Sequence, residues 1–558
     1  MDLKVVVYME ELEKNDLDDF SKLKVLIIDD TLLVHDVLKK SLYNLGIQQV
    51  KCAENAYYGI RLCEKTTFNV VICSFNVKSD KDGFHLLEEL KFKGYVSKRT
   101  VLIFLSAETS EALVNSISEL QPDDFWAKPL APKTIQTRLI NTLQKKKLLF
   151  NIYSAVDKKQ YAKAIYFADR HLLDKSLQKY YPNILRMKGD SFLNLLEFKE
   201  AENFFHELLN TYKYAWVYLG YVKSLLKQGR IDEINEMLNT LCKNPETRFG
   251  THDMLAQYYI EREEFSLAYQ EIKKATALSP RNIERNKKSW DLARLNHDHE
   301  GQFIATRNIA QQAKNSIHDS PELTLNVIRA GIDLVCAMTD DRSIKVLQQI
   351  DRYIEQFEKE NDDVSEFKQQ LLVVKARLLN AKNQGGKAST LVENHVNLKA
   401  SPKIEDNLDK VKVFHELGMR EEAIKLLDAI KNQISGESLT SQVINKYIDQ
   451  ETSERSDIHF SPKQLNEMAI EHFEKKRIKP ALEAIEQALR LTPKNTKLTM
   501  SLLKILITLK QSSDHDESHE KLGNHAVITL EEAKLEGAKM SAFEVLKGKW
   551  KTAESSMH

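Results

Sequence analysis

The stretch KVLIIDD (24–30) decides the fold of the N-terminal part of the chain. An apolar run of this length, with β-branched side chains and a polar end, is typical of a strand buried on both faces of a parallel sheet. Apolar residues then recur at helical spacing from Val34 to Leu45, and Gly46 follows them. The sequence therefore predicts a buried strand followed by a helix that ends at the glycine.

Four further strand–helix units follow the first along the chain. The predicted strands are QQVKCAE (48–54), NVVICSF (69–75), RTVLIFLSA (99–107) and DDFWAK (123–128). Five alternating units predict an α/β doubly wound domain with a parallel sheet over residues 23–149, preceded by an N-terminal extension at 1–22. Ligands of such domains bind at the carboxyl ends of the strands.

Polar side chains stand at three of those strand ends. Asp29 and Asp30 close the first strand, Ser106 closes the fourth and Lys128 closes the fifth. Two carboxylates can hold a hard divalent cation, while a hydroxyl and an ammonium group can contact phosphoryl oxygens. The sequence thus predicts a crevice suited to Mg²⁺ and a phosphoryl group.

The motifs LIIDD (26–30), FLSAE (104–108) and WAKPL (126–130), in this order, resemble the receiver domain of bacterial two-component response regulators. The resemblance covers 23–149 and implies a flavodoxin-like fold. It further implies that Ser106 is the switch hydroxyl, Lys128 the signature lysine and Phe125 the aromatic side chain that rotates with the switch.

The third strand departs from the family pattern, in which it ends in the aspartate that takes phosphate from a histidine kinase. The stretch VVICSFNVKSDKDG (70–83) places Ser74 at that position, or Phe75 without a one-residue shift. A serine hydroxyl is rarely ionised at neutral pH and does not replace a carboxylate as the acceptor. We therefore expect a pseudo-receiver that is not phosphorylated by the usual aspartyl route.

The loss of that carboxylate also removes a cation ligand, so at most weak Mg²⁺ binding by Asp29 and Asp30 is expected, and no other cofactor. The remaining pocket residues are either a residual ligand site or a buried salt bridge of Lys128 with the acidic pair. The alternative hypothesis is a phosphorylatable response regulator that uses Asp80 or Asp82 as a non-standard acceptor.

After residue 149 the strand signals end and helical periodicity continues. Ala256, Ala268, Ala275 and Pro280 have the same spacing as a second set, namely Ala469, Ala481, Ala488 and Pro493. This pattern resembles the tetratricopeptide repeat family, most clearly at 182–215, 249–282 and 462–495, whereas 283–451 also suits a generic α-solenoid. We expect helical repeats over 150–510, followed by a polar loop and a C-terminal capping helix over 511–558.

The composition and motifs of the chain limit the classes of function that it can have. Lys+Arg and Asp+Glu both number 81, and no basic recognition helix is seen, so a nucleic-acid partner is not expected. The sequence shows no signal peptide, no membrane-spanning stretch and no catalytic motif, which together predict a cytoplasmic protein that is neither membrane-bound nor an enzyme.

The leading hypothesis is a bacterial signalling adaptor of the two-component type, in which the receiver domain regulates protein–protein interaction through the tetratricopeptide-like solenoid. A histidine kinase or another signalling protein is the expected upstream partner. The sequence leaves open whether two receivers pair into a homodimer.

Overall fold

The computed structural model describes residues 19–77, 81–338, 342–360, 367–434, 439–460, 462–493, 495–511, 515–533, 535 and 537–552. Most of the predicted extension, 1–18, lies outside these residues. The chain divides into two compact units. The first unit holds 19–262, Gln270–Ile283 and Gln312–Asp319, and the second holds Glu263–Tyr269, Glu284–Gln311 and the described residues from Ser320 onward.

The first unit begins with the predicted α/β domain. Its strands are β1 (Lys24–Ile28), β2 (Gln49–Ala53), β3 (Val70–Ser74), β4 (Val101–Ser106) and β5 (Asp124–Ala127). They form one parallel sheet in the order β2-β1-β3-β4-β5. The α/β doubly wound fold class is therefore confirmed.

Five helices cover the two faces of this sheet. They are α1 (Leu32–Tyr43), α2 (Ala56–Lys65), α3 (Gly83–Phe92), α4 (Glu111–Glu119) and α5 (Pro132–Leu148). Side chains alternate along each strand. Ile27 and Ile72 therefore pack with α1 and α5 on one face, while Ile28 and Cys73 pack with α2, α3 and α4 on the other.

The rest of the described chain is helical, as predicted. The helices up to the end of α13 are α6 (Phe150–Asp157), α7 (Tyr161–Leu172), α8 (Tyr181–Asn194), α9 (Phe198–Leu209), α10 (Ala215–Lys227), α11 (Asn235–Leu241), α12 (Arg248–Glu261) and α13 (Phe265–Leu278). Short 3-10 helices at Phe20–Lys22, Lys175–Tyr180 and Ile231–Ile234 add to these.

The following helices, apart from a few end residues of α14 and α15, belong to the second unit. They are α14 (Ile283–Leu295), α15 (His299–Ala313), α16 (Pro321–Ala337), α17 (Arg342–Glu360), α18 (Lys368–Ala381), α19 (Gly385–His395), α20 (Ile404–Glu416), α21 (Arg420–Gln433), α22 (Leu439–Asp457), α23 (Pro462–Glu474), α24 (Ile478–Leu491), α25 (Thr496–Lys510), α26 (Glu517–Glu532) and α27 (Gly537–Thr552). The stretch 283–451, where the repeat pattern is weak, is thus helical as well.

One boundary differs from the prediction. The polar run that was expected to be a loop after residue 511 contains most of helix α26, whose first turn is capped by Asp516 through a hydrogen bond from the His519 amide at 3.1 Å. Two helices, α26 and α27, therefore stand where one capping helix was predicted. Polar composition misled the prediction because only a narrow stripe of α26, including Ala526 and Leu530, is buried.

The small residues of the repeat pattern lie at helix contacts. Ala469, Ala481 and Ala488 are at most 1% exposed, and all three belong to the apolar core that α23 and α24 share. Small side chains let antiparallel helices approach closely, which is the physical reason for their regular spacing. Among the described helices, none combines the length and the apolar character that crossing a bilayer requires.

Candidate functional site at the carboxyl edge of the sheet

The first member of the candidate site is Asp29, which directly follows β1 and is completely buried. Its Oδ1 accepts a hydrogen bond from the Thr31 amide at 2.9 Å, and its Oδ2 accepts one from Lys128 Nζ at 2.6 Å. The Lys128 amide in turn donates to the Ser106 carbonyl at 2.9 Å. The structure thus brings the predicted aspartate that follows β1 and the predicted lysine that follows β5 into direct contact across the two intervening strands, β3 and β4.

Asp30 lies at the mouth of this crevice. Its side chain is exposed and accepts a hydrogen bond from Thr31 Oγ1 at 3.0 Å. Within the residues that the structure describes, no group of three or more His, Cys, Asp or Glu side chains is arranged to hold a metal ion. Mg²⁺ sites need only one or two carboxylates when a phosphoryl group or water completes the shell, so Asp29 and Asp30 stay the candidate ligands, with both Asp29 oxygens already accepting hydrogen bonds.

The strand register decides which residue of β3 borders Asp29. Ile28 of β1 pairs with Cys73 of β3, so the next residues, Asp29 and Ser74, lie side by side. By alternation both project toward the same face of the sheet as Ile72. Phe75, in contrast, packs against the apolar cluster on the opposite face. The geometry therefore favours Ser74, rather than Phe75, as the residue at the acceptor position.

The Ser74 side chain is fully buried, and its Oγ has no hydrogen-bond partner among the described residues. A buried hydroxyl without a partner is costly, so it is the atom of this crevice most ready to accept a bond from an incoming group. The neighbouring Cys73 thiol offers no alternative nucleophile, because burial raises its pKa far above the ordinary value and keeps it neutral.

Asp82 and Gly83 begin α3 directly above Ser74. A Cβ at Gly83 would collide with the Ser74 carbonyl oxygen, so only glycine fits there. Asp82 caps α3 by accepting a hydrogen bond from the His85 amide at 3.0 Å, and it forms an ion pair with Arg281 at 2.6 Å. The second proposed acceptor, Asp80, lies outside the described residues.

The predicted switch residues lie on β4 and β5. Ser106 is buried and accepts a hydrogen bond from the Glu108 amide at 3.0 Å through its Oγ. Phe125 is half-buried and stacks on Phe104, with ring centroids 6.3 Å apart and an interplanar angle of 15°. Phe125 is therefore packed against the sheet cluster in this conformation.

Sequence reasoning missed Arg281, whose guanidinium contacts Asp82 and lies over Phe75 with 5.1 Å to the ring centroid. Arg281 follows Pro280, the proline that ends a predicted repeat. A polar residue at such a position does not by itself indicate a functional site. No sequence signal distinguishes it, since its partner is 199 residues away.

A parallel five-stranded sheet with an acidic pair, a serine and a lysine at its carboxyl edge defines the receiver class of α/β signalling domains. The comparisons with known proteins agree. The family model "Response regulator receiver domain" matches residues 25–140. The probable chemotaxis protein CheY of Rhizobium etli is 30% identical over 108 residues, which is 19% of this chain and 82% of that protein. The chain therefore belongs to the response regulator receiver family through its N-terminal domain.

Solved structures are also similar over this domain. The chemotaxis response regulator CheY4 of Vibrio cholerae is 22% identical, covering 22% of this chain and 98% of its own, with a TM-score of 0.20. A CheY-like receiver domain protein from Methanospirillum hungatei JF-1 is 26% identical, covering 22% of this chain and 97% of its own, with a TM-score of 0.20.

Proposed function

We propose that this protein is a cytoplasmic signalling adaptor in which a receiver domain that is not phosphorylated by the aspartyl route regulates protein–protein interaction through the helical region. In this proposal the protein is not an enzyme and does not bind nucleic acid. The observation that carries it is the identity of the residue beside Asp29 at the end of β3, which is Ser74.

The chemistry of phosphoryl transfer supports this reading. A receiver accepts phosphate on a carboxylate because that group is ionised at neutral pH and completes a metal shell. Ser74 is neutral, and Lys128, the cation that would face the phosphoryl group, is bonded to Asp29 at 2.6 Å. The crevice therefore retains the parts that would position a phosphoryl group but lacks the atom that would receive it.

The helical region supports the interaction half of the proposal. Helices follow one another in pairs with small residues at their contacts, which resembles tetratricopeptide repeats, and such arrays bind protein segments on their concave surfaces. The second unit has an open cavity of about 930 Å³ lined by charged groups of both signs, among them Asp333, Arg377, Lys412, Glu451 and Arg455. A lining of this kind suits a polar peptide segment of a partner protein.

The phosphorylation half is tested by incubating the full chain with acetyl phosphate and Mg²⁺ and measuring intact mass. We expect no phosphoryl adduct on the wild type and an adduct on the Ser74→Asp variant. An acyl phosphate on the wild type, released by hydroxylamine, would contradict the proposal. In that case the variants Asp80→Asn and Asp82→Asn would identify the acceptor. The protein would then have the alternative function, that of a phosphorylatable response regulator.

The structure disfavours Asp82 as that alternative acceptor, because both of its oxygens are engaged. Oδ1 caps α3 and Oδ2 pairs with Arg281. Phosphorylation there would break a helix cap and an ion pair, whereas an acceptor needs an oxygen that can leave its partners at little cost.

The interaction half is tested by reversing charges on the cavity lining. Lys497 and Glu467 line the cavity and are exposed, so Lys497→Glu combined with Glu467→Lys changes the surface without breaking a buried ion pair. We expect this double variant to lose proteins that the wild-type chain recovers from a lysate. The matched control is Lys425→Glu, an exposed change on α21 outside the lining. Equal recovery by both variants would contradict the assignment of this cavity.

A further inference from the structure

The turn that follows α13 lies against the receiver domain within the first unit. We call residues 278–282 the 278–282 turn. Its contacts reach two parts of the receiver, namely helix α4 and the start of α3. At the start of α3, a Cβ at Gly83 would meet the carbonyl oxygen of Ser74, so the turn's contact with this part of α3 lies where a change at Ser74 could be sensed.

One row of α4 is taken up by these contacts. Glu111, Asn115 and Glu119 are spaced four residues apart and therefore lie on one face of the helix. Asn115 Nδ2 donates to the Leu278 carbonyl at 3.2 Å, and Glu119 accepts from Asn282 Nδ2 at 2.6 Å. Glu119 also accepts a hydrogen bond from the Ser279 hydroxyl.

The contact between the 278–282 turn and α4 is partly buried, and an ion pair from α12 adds a second contact to the same row. Ser116 and Ser279 are 1% and 0% exposed, and their hydroxyl oxygens are 3.2 Å apart. At the start of the row, Arg248 of α12 forms a two-point ion pair with Glu111, with Nε to Oε1 at 2.9 Å. The row on α4 is therefore bonded along its length by the chain's own helical region.

Arg281 connects the turn to the crevice itself. Its guanidinium pairs with Asp82 at 2.6 Å and lies over two rings, with 5.1 Å to the Phe75 centroid and 5.4 Å to the Phe84 centroid. Phe75 directly follows Ser74, and its amide donates to the Leu105 carbonyl of β4 at 2.8 Å. A displacement of the residues around Ser74 would thus move Phe75, over which Arg281 lies, together with Asp82, its ion-pair partner.

We propose that the 278–282 turn is a latch that couples the Ser74 crevice to the helices of the first unit, with Arg281 as its sensing residue. The occupant of this α4 face is the chain itself, so the face is not open to a second receiver copy while the latch is closed. This inference rests on the proposed function, since it names how the receiver regulates the helical region.

The composition of the contact explains why it can open. Its bonds are hydroxyl, amide and ion-pair contacts rather than a shared apolar core, and each contributes little net free energy because water replaces it on opening. Contacts of this kind give two states of similar free energy, which a ligand with different affinity for each can redistribute.

The latch is tested by hydrogen exchange followed by mass spectrometry on the full chain. Arg281→Ala should speed exchange of amides in 276–284 and in α4 by roughly tenfold, because charge-assisted bonds hold both. Arg281→Lys should give a smaller change, since lysine keeps the charge but not the planar fork. The matched control is Arg170→Ala, which removes an exposed arginine of α7 that donates a hydrogen bond to Tyr166 Oη at 2.8 Å.

Coupling is tested with the Ser74→Asp variant, loaded with beryllofluoride and Mg²⁺ to place an anion in the crevice. We expect changed exchange at 276–284 in this variant and none there in the double variant Ser74→Asp, Arg281→Ala. Unchanged exchange in Arg281→Ala would overturn the latch. Loading that protects β3 but leaves 276–284 unchanged would overturn the coupling. Both outcomes are separate from a wild-type phosphoryl adduct, which would contradict the proposed function alone.

Discussion

Replacing Ser74 with aspartate restores a carboxylate at the end of β3 and should destabilise the metal-free protein. Neighbouring strands lie about 4.8 Å apart, and the register sets residue 74 beside Asp29. Two carboxylates about 5 Å apart repel by about 3 kcal/mol at an effective dielectric constant near 20. Lys128, bonded to Asp29 at 2.6 Å, offsets part of this repulsion. We expect a net loss of about 2 kcal/mol.

Mg²⁺ should reverse that loss, because it binds the folded crevice and neutralises both carboxylates. At a free concentration of about a hundred times its dissociation constant, a ligand adds about 2.7 kcal/mol to the folded state. In metal-free buffer the variant's melting temperature should fall by roughly 4–8 °C, given about 2–4 °C per kcal/mol for a unit of this size. With saturating Mg²⁺ it should return to the wild-type value or above, whereas the wild type should respond far less.

Differential scanning calorimetry of the full chain with and without Mg²⁺ measures both effects. Ser74→Asn is the matched control, since it has a similar size but no charge, and it should not respond to Mg²⁺. Phe75→Asp tests the other alignment, because Phe75 packs on the opposite face of the sheet. If Phe75→Asp, and not Ser74→Asp, gained a Mg²⁺ response, the assignment of Ser74 to the acceptor position would be wrong.

Three other perturbations test the packing around the site and in the second unit. Gly83→Ala should lower the free energy of unfolding by about 3 kcal/mol or more, because the added methyl group would collide with the end of β3. Gly548→Ala is the control, since Gly548 has open space around it and the change should be tolerated. Chemical denaturation compares the two variants. Arg377→Met removes the guanidinium bonded to Asp333 at 2.7 Å and should cost about 3–5 kcal/mol, measured by hydrogen exchange in α16 and α18. Burial lowers the pKa of His415 to about 4. As the pH drops from about 6.5 toward 4, this histidine therefore takes up a proton in the unfolded state before it does so in the folded state. The free energy of unfolding should fall by about 2 kcal/mol over that range. His415 Nε2 lies 2.8 Å from the Ile458 carbonyl. His415→Gln should flatten the pH dependence in thermal unfolding curves, because a neutral amide can still donate a hydrogen bond to that carbonyl.

The sheet could be predicted from the sequence because three of its strands, β1, β3 and β4, are nearly continuous apolar runs, and helical periodicity follows each of them. The structure brings Asp29, Ser106 and Lys128 together at one edge of the sheet, because parallel strands place their carboxyl ends side by side. The contact of Arg281 with Asp82 could not be predicted. It joins residues 199 positions apart, and no periodicity links a turn after a helical repeat to the start of α3.

Helix α26 shows a second limit of sequence reasoning. Its run of polar residues has the composition of a loop, yet one side is buried by the close approach of α27. A Cβ at Gly523 would collide with the Trp550 ring, so the glycine that would ordinarily weaken a helix is here the residue that admits its neighbour. Packing against Trp550 therefore stabilises α26 more than the weak helix propensity of its polar residues would suggest, since most helical stability in proteins comes from tertiary packing.

The contacts of the latch bear on how an adaptor without an acceptor carboxylate could be switched. Every bond between the 278–282 turn and α4 stabilises one arrangement of the first unit, and no covalent modification of Ser74 is expected to compete with it. A binding event must then supply the free energy of opening. Moving a two-state equilibrium from 1:99 to 99:1 needs about 5.5 kcal/mol of difference in affinity between the states. A single half-buried ion pair such as Arg281–Asp82 contributes less than that. A binding event that opens the latch fully must therefore disturb several of its contacts at once, and not the Arg281–Asp82 pair alone.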